Sequence, residues 1–311
     1  MSAPAVPALS DTDAQRLSEA TRRQAVVTIC TPNFVPGTLV TLYSFRKYNP
    51  WFQGDTIVIV DDPSPTMKKH LAYLPDVKLH QLGSDLLHRS AEVTEADNSG
   101  RVFQAHFYSL ELFNLKGYDR LLFLDSDLLI LNSLHELFLM EDPMICVGDG
   151  FHYRDKLREG ASYNTYKPSV WKSKKETWGG CFNSGLLLYD GSWANEKNYQ
   201  ALCRMVTTEG YSQQAMRLQD QMIQNIYFRD QFTLVSGRYN YRLGLVADGI
   251  LEKDGIRQED AYVLHFTARK KPWLHHEALD RLTDNPRYFD AFRLWQTHWL
   301  ELTEQLHNRS V

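Results

Sequence analysis

No run in this sequence comes near the ~20 consecutive apolar residues that a membrane-spanning helix needs. The first two dozen residues are Ala- and Pro-rich and then polar, and they hold no apolar signal core. The sequence therefore predicts a cytoplasmic protein without a transmembrane anchor, with residues 1–24 expected to be disordered. Cysteine is scarce. Cys30, Cys146, Cys181 and Cys203 lie far apart, which argues against the close pairs of a zinc site or of a small disulfide scaffold, and they are expected to be reduced and mostly buried. Neither sign of charge dominates: 34 basic against 38 acidic residues leave a formal net charge of −4, too little basic field to hold nucleic acid or an anionic bilayer. Internal repeats are missing, and so is a glycine-rich phosphate loop. The stretch Thr31-Pro32-Asn33-Phe34-Val35-Pro36-Gly37 carries neither the glycines nor the basic residue of a sugar-phosphate nucleotidyltransferase.

What is present suffices for a large core, since 43% of the 311 residues are hydrophobic. The β-branched segment Ala25 to Cys30 reads as a buried strand that ends in a turn at Thr31-Pro32-Asn33. A helix is expected over Leu39 to Tyr48, and a second buried strand over Thr56 to Val60, broken by Asp61-Asp62-Pro63. Strands alternating with helices imply an α/β fold with a mostly parallel central sheet. In such sheets ligands bind outside the carboxyl ends of the strands.

The segment Gly100 to Phe138 is the most informative. Val102, Phe103, Phe107, Leu110 and Phe113 recur at helical spacing, with Gly117 as the stop. Arg120 to Leu131, RLLFLDSDLLIL, then reads as an apolar strand with two carboxylates set into it. Alternation along a strand would point Asp125 and Asp127 to one face and Ser126 to the other. Two like charges in an apolar run repel each other unless a cation lies between them, and hard oxygen ligands suit magnesium or manganese. A strand simply ending in solvent is the plainer alternative, but Leu128 to Leu131 resume the apolar run at once. Phosphate hydrolases with an aspartyl nucleophile also carry Asp-x-Asp, normally after the first strand, whereas two strands precede it here.

At these residues the chain resembles the retaining glycosyltransferases that include glycogenin and the bacterial lipopolysaccharide galactosyl- and glucosyltransferases. The resemblance runs from about Val26 to Trp273 and rests on four motifs in order: Leu124-Asp125-Ser126-Asp127, Cys181-Phe182-Asn183-Ser184-Gly185-Leu186, Asp220-Gln221 followed by Asn225, and His265-Phe-Thr-Ala-Arg-Lys-Lys-Pro-Trp273. It implies a GT-A type, Rossmann-like single domain over 25–273 with a C-terminal helical extension over 274–311. The implied reaction is retaining transfer of a hexose, glucose or galactose, from a UDP-sugar.

The resemblance also implies roles residue by residue. Asp125, Asp127 and His265 would hold Mn²⁺, with Mg²⁺ as the alternative, and Lys271 would meet the leaving phosphates. Thr31 and Asn33 would contact uridine, with Phe34 beside the base. Arg101, Ser126, Asp149, Asn183 and Ser184 would bind the donor, Asp149 at the sugar hydroxyls. Asp220 and Gln221 would lie at the anomeric carbon, where a same-face mechanism suits an amide better than a covalent one. Asp220 also suits a helix cap. Two departures stand out: Ala268 replaces the family's glycine, and Gln104 and His106 occupy helix positions where members often carry a cation. They keep open a nucleotide-sugar-binding protein with little or no transfer.

The acceptor is expected to be a separate glycan, lipid-linked sugar or small molecule, because Tyr227, Tyr239 and Tyr241 lie early in the interval where glycogenin-like enzymes modify themselves and no tyrosine occurs from Arg242 to Ala261, nearest the family's acceptor position. The polar stretch Tyr153 to Lys175 is an acceptor-facing loop or a solvated excursion. Beyond Leu274, helices are expected with a break at Asn285-Pro286 and a packing face of Phe289, Phe292, Leu294, Trp295, Trp299 and Leu302.

Overall fold

The computed structural model describes residues 10–97, 100, 102–150, 181–213, 218–229, 231–244, 255–267, 271–274, 282–283 and 285–310. Part of the segment expected to be disordered is ordered here. Helix α1, Asp11–Thr21, is capped by Ser10, whose Oγ accepts from the Asp13 N–H at 3.1 Å, and it buries Leu17 and Thr21. The reason is an N-cap followed by an apolar anchor, a signal easily lost in a polar segment.

Strands β1 (Gln24–Ile29), β2 (Asp55–Val60), β3 (Val77–Gln81), β4 (Arg120–Leu124), β6 (Met144–Gly148), β7 (Phe182–Asp190) and β8 (Thr233–Val235) form one sheet in the order β3-β2-β1-β4-β7-β6-β8. Only β7 runs against the others. All six residues of β1 are buried, as expected for a strand covered on both faces. On one face Ala25 and Val27 pack with Phe107, Leu110 and Phe113. On the other, Val26 and Val58 pack with Leu39, Leu42 and Phe45 of helix α2, Val35–Tyr48. A second sheet joins β5 (Leu128–Ile130), β10 (Val263–His265) and β9 (Tyr241–Arg242), with β10 central.

The α/β fold and mostly parallel sheet agree with the sequence reading, while three local expectations change. Arg120 to Leu131 is two strands rather than one: β4 belongs to the large sheet, β5 to the small one, and Asp125-Ser126-Asp127 is the turn between them. The segment after Gly100 is wound as a 3-10 helix, Gln104–Asn114, with Gly117 at φ +95° just beyond it. At Asn285-Pro286 the expected break is present, and a new helix starts there, although its packing face differs at Phe289. The Asn285 Oδ1 accepts from the N–H groups of Arg287 and Tyr288 at 3.1 and 3.2 Å, starting the helix Pro286–Ser310. Its buried face is Tyr288, Ala291, Trp295, His298 and Leu302, whereas Phe289 is 44% exposed. No helix among the described residues is long and apolar enough to cross a membrane.

Candidate active site

The site is assembled where strands end. Leu121 to Leu124 are fully buried, and the ladder of β4 with β7 stops at Leu124 opposite Leu186. Past that point the Asp125 N–H donates to the Gly185 carbonyl at 2.9 Å, and the Phe266 N–H donates to the Asp127 carbonyl at 3.0 Å. The turn is thus tied to β7 on one side and to the end of β10 on the other. Its carboxylates converge by turning, not by strand alternation. Glycines permit this closeness: a Cβ at Gly37 would lie 2.2 Å from the Ser126 carbonyl oxygen, and one at Gly185 would lie 2.5 Å from His265 Cε1.

His265 Nε2 stands 3.1 Å from Asp127 Oδ1 and 3.6 Å from Asp125 Oδ2. One ligand atom from each of Asp125, Asp127 and His265 lies within 4.8 Å of the other two. Desolvation, which the 36% exposed Asp125 side chain feels only in part, and the neighbouring Asp127 charge push the Asp125 carboxyl above the ordinary carboxylate range. Burial works against ionisation of Asp127 too, but Lys271 and His265 hold its carboxyl below that range. A centre that drives one of its two carboxyls toward the neutral form is short of positive charge. Two carboxylates and an imidazole therefore fit a divalent cation, which would supply that charge and steady a leaving phosphate. The Lys271 Nζ donates to Asp127 Oδ2 at 2.5 Å and to the Phe266 carbonyl at 2.9 Å, and sits 5.5 Å from the Phe34 ring centre.

Because β7 is antiparallel, its first residues lie at the carboxyl ends of β4 and β6. Asn183, Ser184 and Gly185 are delivered there. The pairing of β6 with β7 shifts register between Cys146 and Val147, so that Val147 pairs with Asn183 while Ser184 and Gly185 have no partner on β6. The Asn183 Nδ2 donates to Gln221 Oε1 at 2.8 Å, and the Gln221 Nε2 donates to Asp149 Oδ2 at 3.2 Å. Asp149, 4% exposed, also accepts from Arg242 Nη1 at 2.7 Å. Asp220 accepts from Ser109 at 2.8 Å and from Ser184, and burial raises its carboxyl against the opposing His106, Ser109 and Ser184.

The helix carrying Asp220 and Gln221, Gln219–Tyr227, is held to β7 by Asn225, whose side chain exchanges hydrogen bonds with the Phe182 N–H and carbonyl, both at 2.9 Å. Its N-cap is Leu218, so Asp220 is not the cap; it stands in the first turn, where the helix dipole favours a carboxylate. Gln219 adopts φ +45°, a left-handed conformation costing on the order of 1–3 kcal/mol for a non-glycine residue, immediately before Asp220.

Most of the residues singled out in the sequence are gathered in one place: Asp125, Ser126, Asp127, Asp149, Asn183, Ser184, Asp220, Gln221, His265 and Lys271. Thr31 and Asn33 follow β1, and the Asn33 carbonyl accepts from Trp273 Nε1 at 2.9 Å, which joins the first strand's end to the last motif. Phe34 lies edge-on to Trp273, with ring centres 5.3 Å apart. Arg101, Ala268 and the stretch Tyr153 to Lys175 lie outside the described residues. Sequence reasoning overlooked Ser109, Asn240 and Arg242. The last two are polar residues alternating with Tyr239 and Tyr241, and that alternation was the available signal.

A family model described as "Glycosyl transferase family 8" matches residues 25–277. The chain belongs to glycosyl transferase family 8. As a member it is a glycosyltransferase, with a nucleotide sugar as donor and an acceptor as its second partner. An uncharacterized protein of Acanthamoeba polyphaga mimivirus is 21% identical over 285 residues, 91% of this chain and 94% of its own length. Glycosyltransferase GlyF of Streptococcus pneumoniae is 23% identical over 222 residues, 70% of this chain but only half of that relative. Among solved structures, the galactosyltransferase LgtC, crystallised with donor and acceptor sugar analogs, superposes with a TM-score of 0.62 at 18% identity, covering 88% of this chain and 95% of LgtC. At that identity the likeness speaks for the fold shared within family 8.

Proposed function

We propose that this family 8 chain transfers a hexose, glucose or galactose, from a UDP-sugar to a separate glycan, lipid-linked sugar or small molecule, with retention of configuration and dependence on manganese. The convergence of Asp125, Asp127 and His265 carries the reading. In it these three hold the metal, with Mg²⁺ as the weaker alternative, and the metal offsets charge on the departing diphosphate. Lys271, already poised beside Asp127, exchanges that partner for a phosphate oxygen. Thr31 and Asn33 receive uridine, Arg101 and Ser126 assist at the diphosphate, and Asp149, Asn183 and Ser184 take the sugar hydroxyls. Asp220 and Gln221 border the anomeric carbon, where the carboxylate steadies positive charge on the ring and the acceptor enters on the face that UDP leaves.

Residues 25–273 form the transfer domain in this reading and 274–311 its helical extension. The protein works in the cytoplasm, where four free, buried cysteines stay reduced. The test is a panel of UDP-sugars with manganese chloride, detecting UDP release, followed by proton NMR of the product. An α-linked product from an α-linked donor supports the proposal. A β-linked product, or turnover undiminished in chelator, overturns it; binding of UDP-sugar without turnover would leave a binding protein in its place.

A further inference from the structure

The side chains behind the metal-ligating histidine form a continuous relay of amides, and its direction is determined by groups that have no choice of role. The Gly185 backbone N–H can only donate, and it reaches Asn183 Oδ1 at 3.1 Å. The oxygen of Asn183 therefore faces Gly185, and the same oxygen accepts from Asn240 Nδ2 at 2.9 Å. With its nitrogen committed there, Asn240 presents Oδ1 to His265 Nδ1 at 2.8 Å. An amide oxygen only accepts, so Nδ1 must carry a proton, and the lone pair left for a ligand is on Nε2, the nitrogen that faces Asp125 and Asp127. In the other direction Asn183 Nδ2 donates to Gln221 Oε1, and Gln221 Nε2 ends at the Asp149 carboxylate, which can only accept when ionised and which Arg242 keeps paired. Both ends of the relay are thus anchored and every intermediate amide is oriented.

We infer that Asn240 is a positioning residue, one that sets the His265 tautomer for metal ligation and couples the metal centre to the amides bordering the sugar. The inference rests on the metal role proposed above. Asn240 is 1% exposed and His265 4%, so no water replaces the amide when it is removed. Without an acceptor at Nδ1 the imidazole loses its reason to keep the proton there, and the tautomer with Nε2 protonated points a hydrogen at the metal position. Partners of this kind are worth about 10–100-fold in metal affinity when lost.

Two substitutions separate positioning from bulk stability. Asn240→Leu keeps the size and removes the acceptor. Asn240→Asp keeps the acceptor and adds charge behind the imidazole, and it replaces the donation to Asn183 Oδ1 with a contact between two acceptor oxygens. Titration with manganese chloride alone should show binding weakened about 10–100-fold in the leucine variant and retained or tightened in the aspartate variant. Nitrogen-15 NMR of the imidazole in metal-free wild type should show Nδ1 protonated, whatever the state of Nε2. Equal loss of affinity in both variants, wild-type affinity in a folded leucine variant, or an unprotonated Nδ1 in the wild type would each overturn the inference. Should the leucine variant fail to fold, the aspartate titration and the wild-type spectrum still decide it. A wild-type protein that binds no manganese at all overturns the metal reading itself, a result distinct from the three above.

Discussion

Gly185→Ala is the sharpest probe of how tightly this centre is packed. An added methyl at that position would stand 2.5 Å from His265 Cε1, 2.8 Å from Nδ1 and 2.9 Å from Asn183 Oδ1. Ordinary carbon–carbon contact begins near 3.5 Å, so the imidazole must retreat by about 1 Å. It has little room to do so, because Asn240 grips Nδ1 from behind and the ring is buried. Overpacking of a well-filled site costs about 1–3 kcal/mol, and a displacement of about 1 Å at a reacting centre costs on the order of a hundredfold in rate. The expected result is a folded protein, modestly lowered in melting temperature, with UDP release under manganese reduced about a hundredfold and manganese binding weakened in parallel. Gly244→Ala is the control: among the described residues its Cβ meets only the Thr267 side chain, with Oγ1 at 2.5 Å, and that hydroxyl can rotate away at the loss of its bond from the Gly244 N–H. Undiminished turnover and metal affinity in Gly185→Ala would refute the argument that this close approach sets the position of His265.

Asp127→Asn should leave the fold intact and remove most turnover, about a hundredfold or more, since it deletes a charge that the proposed function assigns to the metal; activity near wild type in the manganese assay would dismiss Asp127 as a ligand. Glu111 is a second, structural carboxylate. It is 0% exposed and accepts from His80 Nε2 at 3.0 Å, Gly83 N at 3.1 Å, Asn114 Nδ2 at 2.8 Å and the Tyr199 hydroxyl at 2.7 Å. Burial opposes its charge, yet these donors hold its carboxyl below the ordinary range. Its contribution to stability is therefore complete above the unfolded value of about 4.3 and is lost as pH falls through the depressed folded value. Glu111→Gln turns an amide nitrogen on donors and should cost about 1–3 kcal/mol in urea unfolding near neutrality, with a flatter acid limb; an unchanged limb would contradict the assignment. Intact-mass analysis after incubation with UDP-sugar and manganese should show no added hexose, because Tyr227 donates to Asn198 at 2.8 Å, Tyr239 to Glu136, and Tyr241 is 1% exposed; mass steps on the protein would sink the separate acceptor.

The sequence was most legible where the chemistry is uncompromising. Buried β-branched runs can only be central strands, and carboxylates interrupting an apolar run need a cation or a turn. Here the turn is plain in the structure, and its two carboxylates converge with His265 in a cluster that could hold a metal ion. The pattern was ambiguous at that very point, since RLLFLDSDLLIL satisfies one long strand as well as two short ones. What decides between them is non-local: Asp125 N finds the Gly185 carbonyl and Asp127 offers its own carbonyl to Phe266, partners 60 and more residues away that no local window contains. In the terminal helix the expected face holds at Phe292, Leu294, Trp295, Trp299 and Leu302 and fails at Phe289, for a related reason. Phe289 and Tyr288 are both aromatic, and the Asn285 cap sets the phase that buries Tyr288 and exposes Phe289.

The parts of the site that sequence reasoning overlooked are those whose role lies in direction rather than in charge. Asn240 has no distinctive reactivity, and nothing in the sequence around Arg242 marks it out. Their meaning comes from β9 lying beside β10, with Arg242 opposite His265, which brings the pair to the rear of the His265 ring and to Asp149. A buried amide has two ends of opposite polarity, so a row of them transmits orientation from a backbone N–H to an imidazole over three links. That constraint exists only once the chain has folded. It explains why a motif search finds the ligands of such a centre readily and finds the residues that aim them only when the hydrogen bonds are laid out.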